Sequence, residues 1–115
     1  MILLYGIPNC DTMKKARAWL DGHGIEYGFH DYKKLGIDAE TLRRWVAELG
    51  WETLLNRRGM TWRKLPQAVK DNIDEPSAIA LMLEKPSIIR RPVLDTGDAR
   101  HVGFTPEHYE QIFPL

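Results

Sequence analysis

One cysteine, no net charge and no long apolar run are the shortages that narrow what this 115-residue chain can be. A lone cysteine cannot close an internal disulfide, which fits a reducing compartment and leaves a free thiol to be explained. The 16 basic residues cancel the 16 acidic ones, so no global field gathers nucleic acid or an anionic membrane. We therefore expect no direct nucleic-acid binding and no membrane association, and any charge-based function has to be local. No stretch approaches the roughly 18 apolar residues of a membrane span. The apolar opening MILLYGI is too short for a signal peptide and lacks the basic flank, so the expected location is the cytoplasm. The histidines, His23, His30, His101 and His108, are scattered, with no CxxC or HxxxH spacing. Neither a metal site nor a bound cofactor is expected.

What is present suits one core: 43% of the residues are apolar, and a chain of this length supports a single domain, here taken as residues 1–115. Ile2 to Ile7 reads as a buried strand, ended by Gly6 and Pro8. A helix follows from Asp11 to about His23, with Met13, Ala16, Trp19 and Leu20 on one face and Gly22-His23-Gly24 as its stop. Alternation at Ile25, Tyr27 and Phe29 predicts a strand over 25–32, completing a βαβ unit. Asp38 is placed as an N-cap ahead of Leu42, Trp45, Val46 and Leu49, with Gly50 ending that helix. WETLLN, PQAVKDN and EPSAIALMLEK add short helical pieces, so an all-helical insert is expected over approximately 37–86. SIIRRPVL reads as a strand interrupted by Pro92, and LDTGDARHVGF as a hairpin turning near Thr96-Gly97-Asp98. Thr105 and Pro106 open a last helix carrying Tyr109, Ile112 and Phe113. The order predicts an α/β fold in which βαβ and ββα halves share a mixed sheet around the insert.

The thiol falls between the first strand and the first helix, where open α/β sheets tend to bind ligands. With a helix starting at Asp11, Cys10 is its N-cap or first-turn residue, and unpaired backbone N–H groups favour the thiolate. Lys14 and Lys15 add positive potential, and Thr12 offers a hydroxyl and an N–H. Asp11 opposes them, because a neighbouring carboxylate raises a thiol's pKa. The competing reading is a small, inert core residue. A second cluster is rich in arginine: Arg57, Arg58 and Arg63, then Arg90 and Arg91. Guanidinium forks suit carboxylates and oxyanions, and the plainer reading is a set of solvated charges. Arg91 stands apart, since it precedes a proline inside a strand signal, where an edge, a bulge or a cis turn is needed. Trp19, Trp45, Trp51 and Trp62 are read as packing residues and not as a platform for bases.

YGIPNCDTMKKARAWL, LLNRRGMTWRKL, EKPSIIRRPVL and VGF together resemble the thioredoxin-fold arsenate reductases and the related Spx proteins, most of all the YffB branch of small thiol reductases. The resemblance covers nearly the whole chain. It implies a thioredoxin-like domain with a helical insert, Cys10 as nucleophile, and Arg91 followed by a cis Pro92 facing it. The implied reaction is glutathione-dependent thiol–disulfide exchange, with glutathione as co-substrate. Partners would be glutathione, a small-molecule or protein disulfide, and glutaredoxin. Asn9, Asp11, Thr12, Lys14, Asn56, Arg57, Arg58, Arg91 and Pro92 are the residues expected around the glutathione or anion. Three arginines bind oxyanion in the arsenate reductases, and only Arg91 matches, because Asn56 and Gly103 stand at the other two positions. Asp11 also replaces a small neutral residue there. Spx regulators usually carry a second cysteine three residues after the first, where this chain has Met13. Arsenate reduction coupled to glutathione or glutaredoxin, and a non-catalytic role bound to RNA polymerase, are the alternatives to thiol reduction.

Overall fold

The computed structural model describes residues 1–114, which divide into two compact units: residues 1–31 with 91 onwards, and residues 32–90. The first unit holds a four-stranded mixed sheet. Strand β1 (Leu3–Gly6) lies between β2 (Gly28–Asp31), parallel to it, and β3 (Val93–Asp95), antiparallel; β4 (Arg100–Val102) pairs antiparallel with β3 at the edge. Helix α1 (Asp11–Gly22) makes the connection that a parallel pair requires. Its Met13, Ala16 and Leu20, spaced at one helical face, are buried with Leu4, Leu94 and Tyr109 in one cluster. Trp19 meets Tyr109 edge-on at 5.5 Å and Phe104 meets it at 4.7 Å, in the edge-to-face geometry aromatic rings prefer. Each fully buried Leu in this cluster contributes about 1.5–3 kcal/mol.

Gly6 is dictated by this packing. A Cβ there would collide with Met13 Sδ, so any side chain at this position would force the buried Met13 to shift. The hairpin turns where the sequence places it: Gly97 has φ +90°, its N–H donates to Asp95 Oδ1 at 2.8 Å, and Thr96 N–H donates to Ala99 O at 3.1 Å. Arg100 pairs with Asp95 at 3.7 Å across the same turn.

The second unit is helical: α2 (Tyr32–Leu35), α3 (Ala39–Leu49), α4 (Trp51–Leu54), α5 (Met60–Arg63), α6 (Gln67–Asp71), α7 (Glu75–Glu84) and a 3-10 turn (Pro86–Ile88). Asp38 caps α3 by accepting from Thr41 N–H at 3.1 Å, and Gly50, at φ +86°, ends it. Asp74 and Ser77 form a capping box on α7, with Pro76 in the first turn. Helices α3, α4 and α7 pack on one another, and Leu42, Trp45, Val46, Leu54, Ala78, Leu81 and Met82 are buried.

Two expectations are corrected. Strand β2 is shorter than 25–32, because Ile25 N–H still bonds back to Leu20 O and Gly24, at φ +68°, closes α1, while Tyr32 already starts α2. SIIRRPVL is not one strand: the 3-10 turn occupies its start, Ile89 makes only a single bridge to Leu55, and β3 begins at Val93. Pro86 opens the 3-10 turn, and Pro92 lacks the N–H that a continuous ladder needs. Helix α5 falls inside the expected all-helical insert without having been among its named pieces; it starts from Gly59, whose N-cap position makes no side-chain hydrogen bond.

Candidate active site

Cys10 occupies the N-cap of α1 with extended φ and ψ of −145° and 130°, and its carbonyl accepts the first helical bond from Lys14 N–H at 2.9 Å. The side chain closes no conventional capping hydrogen bond, and the unpaired amides of the first turn face the N-cap end, where they favour an anion. Partial burial pushes the thiol's pKa up. The Met13 N–H, the Arg91 side chain and the Thr12 N–H, acting as hydrogen-bond donors, together with the Arg91 charge, more than offset it, and the thiol lies below its ordinary value. Cys10 is half-buried and is a free cysteine.

Arg91 reaches this site from the other end of the unit's sequence, at the entry to β3. The Arg91–Pro92 peptide is cis, as the resemblance implied. Pro92 is buried and its carbonyl accepts from Gly103 N–H at 2.8 Å, which anchors the segment beside β4. Gly103 has φ +83°, a backbone region that strains any L side chain, so the position at which arsenate reductases carry an arginine is built here for glycine.

The structure thus brings Cys10, Thr12 and Arg91 together, with Pro92 adjoining. Thr12 acts on the sulfur through its amide. Asn9, Asp11 and Lys14 are exposed around the turn. Asn56, Arg57 and Arg58 belong to the helical unit. Asn56 N–H donates to Ile88 O at 2.8 Å and its Oδ1 accepts from Arg58 N–H at 3.0 Å, so that side chain is spent on shaping its own loop. Arg57 lies over the rings of Trp51 and Trp62, 5.3 and 5.7 Å from their centroids, and Arg58 is exposed. The first-turn amides that sequence reasoning aimed at the sulfur are those of Met13 and Thr12. Sequence reasoning missed the two indoles as supports for Arg57. Among the described residues no cluster of three His, Cys, Asp or Glu side chains suits a metal ion. No helix among them is long and apolar enough to cross a membrane.

A free thiol at a helix N-cap, an arginine on its sulfur and a cis proline after that arginine are joined by a sequence match: the model of the ArsC family covers residues 5–112. The chain belongs to the ArsC family. Among solved structures, this ArsC-family chain is similar to the YffB protein, at 58% identity with a TM-score of 0.93, over 96% of this chain and 97% of that one. It is also similar to an arsenate reductase (ArsC) related protein from Brucella melitensis, at 57% identity and TM-score 0.79, over 99% and 95%. A curated relative, the global transcriptional regulator Spx of Streptococcus agalactiae, is 29% identical over 116 residues, covering 99% of this chain and 84% of the relative. The mixed α/β architecture is the thioredoxin-like one of these ArsC neighbours.

Proposed function

We propose that this arsenate-reductase-like protein is a monothiol, glutathione-dependent thiol–disulfide oxidoreductase. The observation that supports this reading is the pair of amides and the Arg91 guanidinium acting on Cys10 Sγ, which favour the anion that attacks disulfides. In the proposed cycle the Cys10 thiolate attacks the glutathione sulfur of a mixed disulfide, forming a Cys10–glutathione disulfide and releasing the substrate as its thiolate. A second glutathione thiolate then attacks the glutathione sulfur of that adduct. Oxidised glutathione leaves and the Cys10 thiolate is restored. With one cysteine in the chain, the resolving thiol has to come from outside. The guanidinium of Arg91 carries five donors, enough for the sulfur and for a glutathione carboxylate.

The test is turnover of a small glutathione mixed disulfide with glutathione as reductant. Cys10→Ser should abolish it while leaving the fold intact; retained turnover would overturn the mechanism.

Arsenate reduction is a second reading, favoured by family membership and by the description of the Brucella melitensis relative. It has to contend with Gly103 at a position strained for arginine and with Asn56 engaged in its own loop. Arsenate-dependent oxidation of glutathione by the purified protein, coupled to glutaredoxin, would establish it. The Spx relative favours a regulatory reading, against which Met13, fully buried, stands where a switch would need its second cysteine. Capture of RNA polymerase subunits, with a thiol that titrates like free cysteine, would favour it.

A further inference from the structure

Residues 56–70 contain Arg57, Arg58, Arg63, Lys64 and Lys70 and no carboxylate, so the rest of this neutral chain is net negative. Arg57, Arg58, Arg63 and Lys64 are exposed, and none of them forms an ion pair with any described residue. The next carboxylate along the chain, Asp71, accepts from Gln67 Nε2 at 2.8 Å. Lys70 is drawn to the same place, its Nζ donating to Arg63 O at 3.2 Å.

Apolar surface accompanies this charge. Met60 is 64% exposed and Val69 39%, two of the few large apolar side chains left in solvent among the described residues. On α5 and its C-cap, Met60, Arg63 and Lys64 are at i, i+3 and i+4 and share one face. The neighbouring positions look elsewhere: Thr61 bonds Ser87 at 3.1 Å, and Trp62 is half-buried against Arg57. The loop before the helix is held in shape by Asn56, through its bonds to Ile88 O and Arg58 N–H. The backbone that leads into the face is therefore fixed, which lowers the entropy lost on binding.

We propose that this face of the helical unit docks an acidic protein segment that carries an apolar anchor residue, the anchor seating on Met60 and the carboxylates on Arg58, Arg63 and Lys64. Charge complementarity selects the acidic partner, and the unpaired guanidinium forks suit carboxylates. Single-stranded nucleic acid would also satisfy the charge. It fits less well, because base binding relies on open aromatic faces, and here Arg57 lies over Trp51 and Trp62. An exposed methionine is, by contrast, an adaptable contact for a protein side chain.

Fluorescence anisotropy on the full chain, kept reduced, tests this with three labelled probes: a peptide alternating Glu with Leu, the same peptide with Gln for Glu, and an oligothymidylate. Saturable binding of the Glu peptide is expected at physiological salt, weakening as salt is raised. Arg63→Glu combined with Lys64→Glu should weaken it about tenfold or more. Met60→Ser should weaken it several-fold, with the melting temperature unchanged in both variants. The proposal is overturned by no saturable binding of the Glu peptide, by equal binding of the Gln peptide, or by indifference to either variant. Tighter binding of the oligothymidylate would overturn it in favour of a nucleic-acid surface. None of these readouts depends on Cys10 chemistry.

Discussion

At Cys10, burial and hydrogen bonding pull the thiol in opposite directions, and the donors win. The folded state therefore releases its proton at a lower pH than the unfolded chain. Between the two pKa values the unfolded state binds more protons, so stability rises with pH across that window. The thiolate's contribution is complete above the unfolded value, roughly 8.5, and is lost as pH falls through the folded one. Urea titrations of the native protein and Cys10→Ser at a series of pH values should show the native protein gaining relative stability toward alkaline pH. Two core residues give sharper expectations. Tyr109 is buried, its hydroxyl has no hydrogen-bond partner among the described residues, and burial pushes its pKa up. Tyr109→Phe removes that orphaned group, so the denaturation midpoint should stay the same or rise. Gly6→Ala forces a methyl group onto Met13 Sδ and should cost about 1–3 kcal/mol, read from the same titration. The Gly6 contact was invisible in the sequence, since it depends on packing that only the folded chain makes, whereas the helix N-terminus at Cys10 was legible and the Arg91 contribution to it was not.

Among the elements, the ones legible in the sequence were those written in local rules. Asp38 and Gly50 bracket α3, and Thr105 caps α8 (Pro106–Ile112) by accepting from His108 N–H at 3.1 Å. Thr105→Ala should therefore lower stability by about 1 kcal/mol, measured by thermal or denaturant unfolding. At α7, the Ser77 hydroxyl and the Ser77 N–H hold the Asp74 carboxyl below its ordinary value. Its capping contribution is present above the usual carboxylate range and is lost as pH falls through the depressed value. Asp74→Asn should flatten that part of the acid-unfolding profile. The misjudged elements follow tertiary demands. Alternating Ile25, Tyr27 and Phe29 looked like one strand, yet the end of α1 claims Ile25 through its bond to Leu20 O. SIIRRPVL had the composition of a strand, but Pro92 cannot donate to a ladder, and the ladder forms only past it. Helix α5 carries neither an N-cap side chain nor a clear apolar period, so nothing local announces it.

For the molecule as a whole, the mixed sheet and the helical segment between its halves were readable from element order. The candidate site was half readable. Cys10 was marked by a strand–turn–helix pattern, and Arg91 by the proline that follows it. That Arg91 acts on Cys10 lies beyond any spacing rule, because the two residues are 81 positions apart and meet through the β1–β3 pairing. A single cysteine also predicts how the whole protein responds to oxidised glutathione: mass spectrometry should find one glutathione per chain, reversed by excess glutathione, and no loss of two protons within a chain. The most direct test of the account is the pH dependence of Cys10 alkylation by iodoacetamide in the native protein and in Arg91→Met. The expected midpoint lies below that of an ordinary cysteine and moves upward when the guanidinium is removed. A native midpoint at or above the ordinary value, or one that Arg91→Met leaves in place, would contradict it.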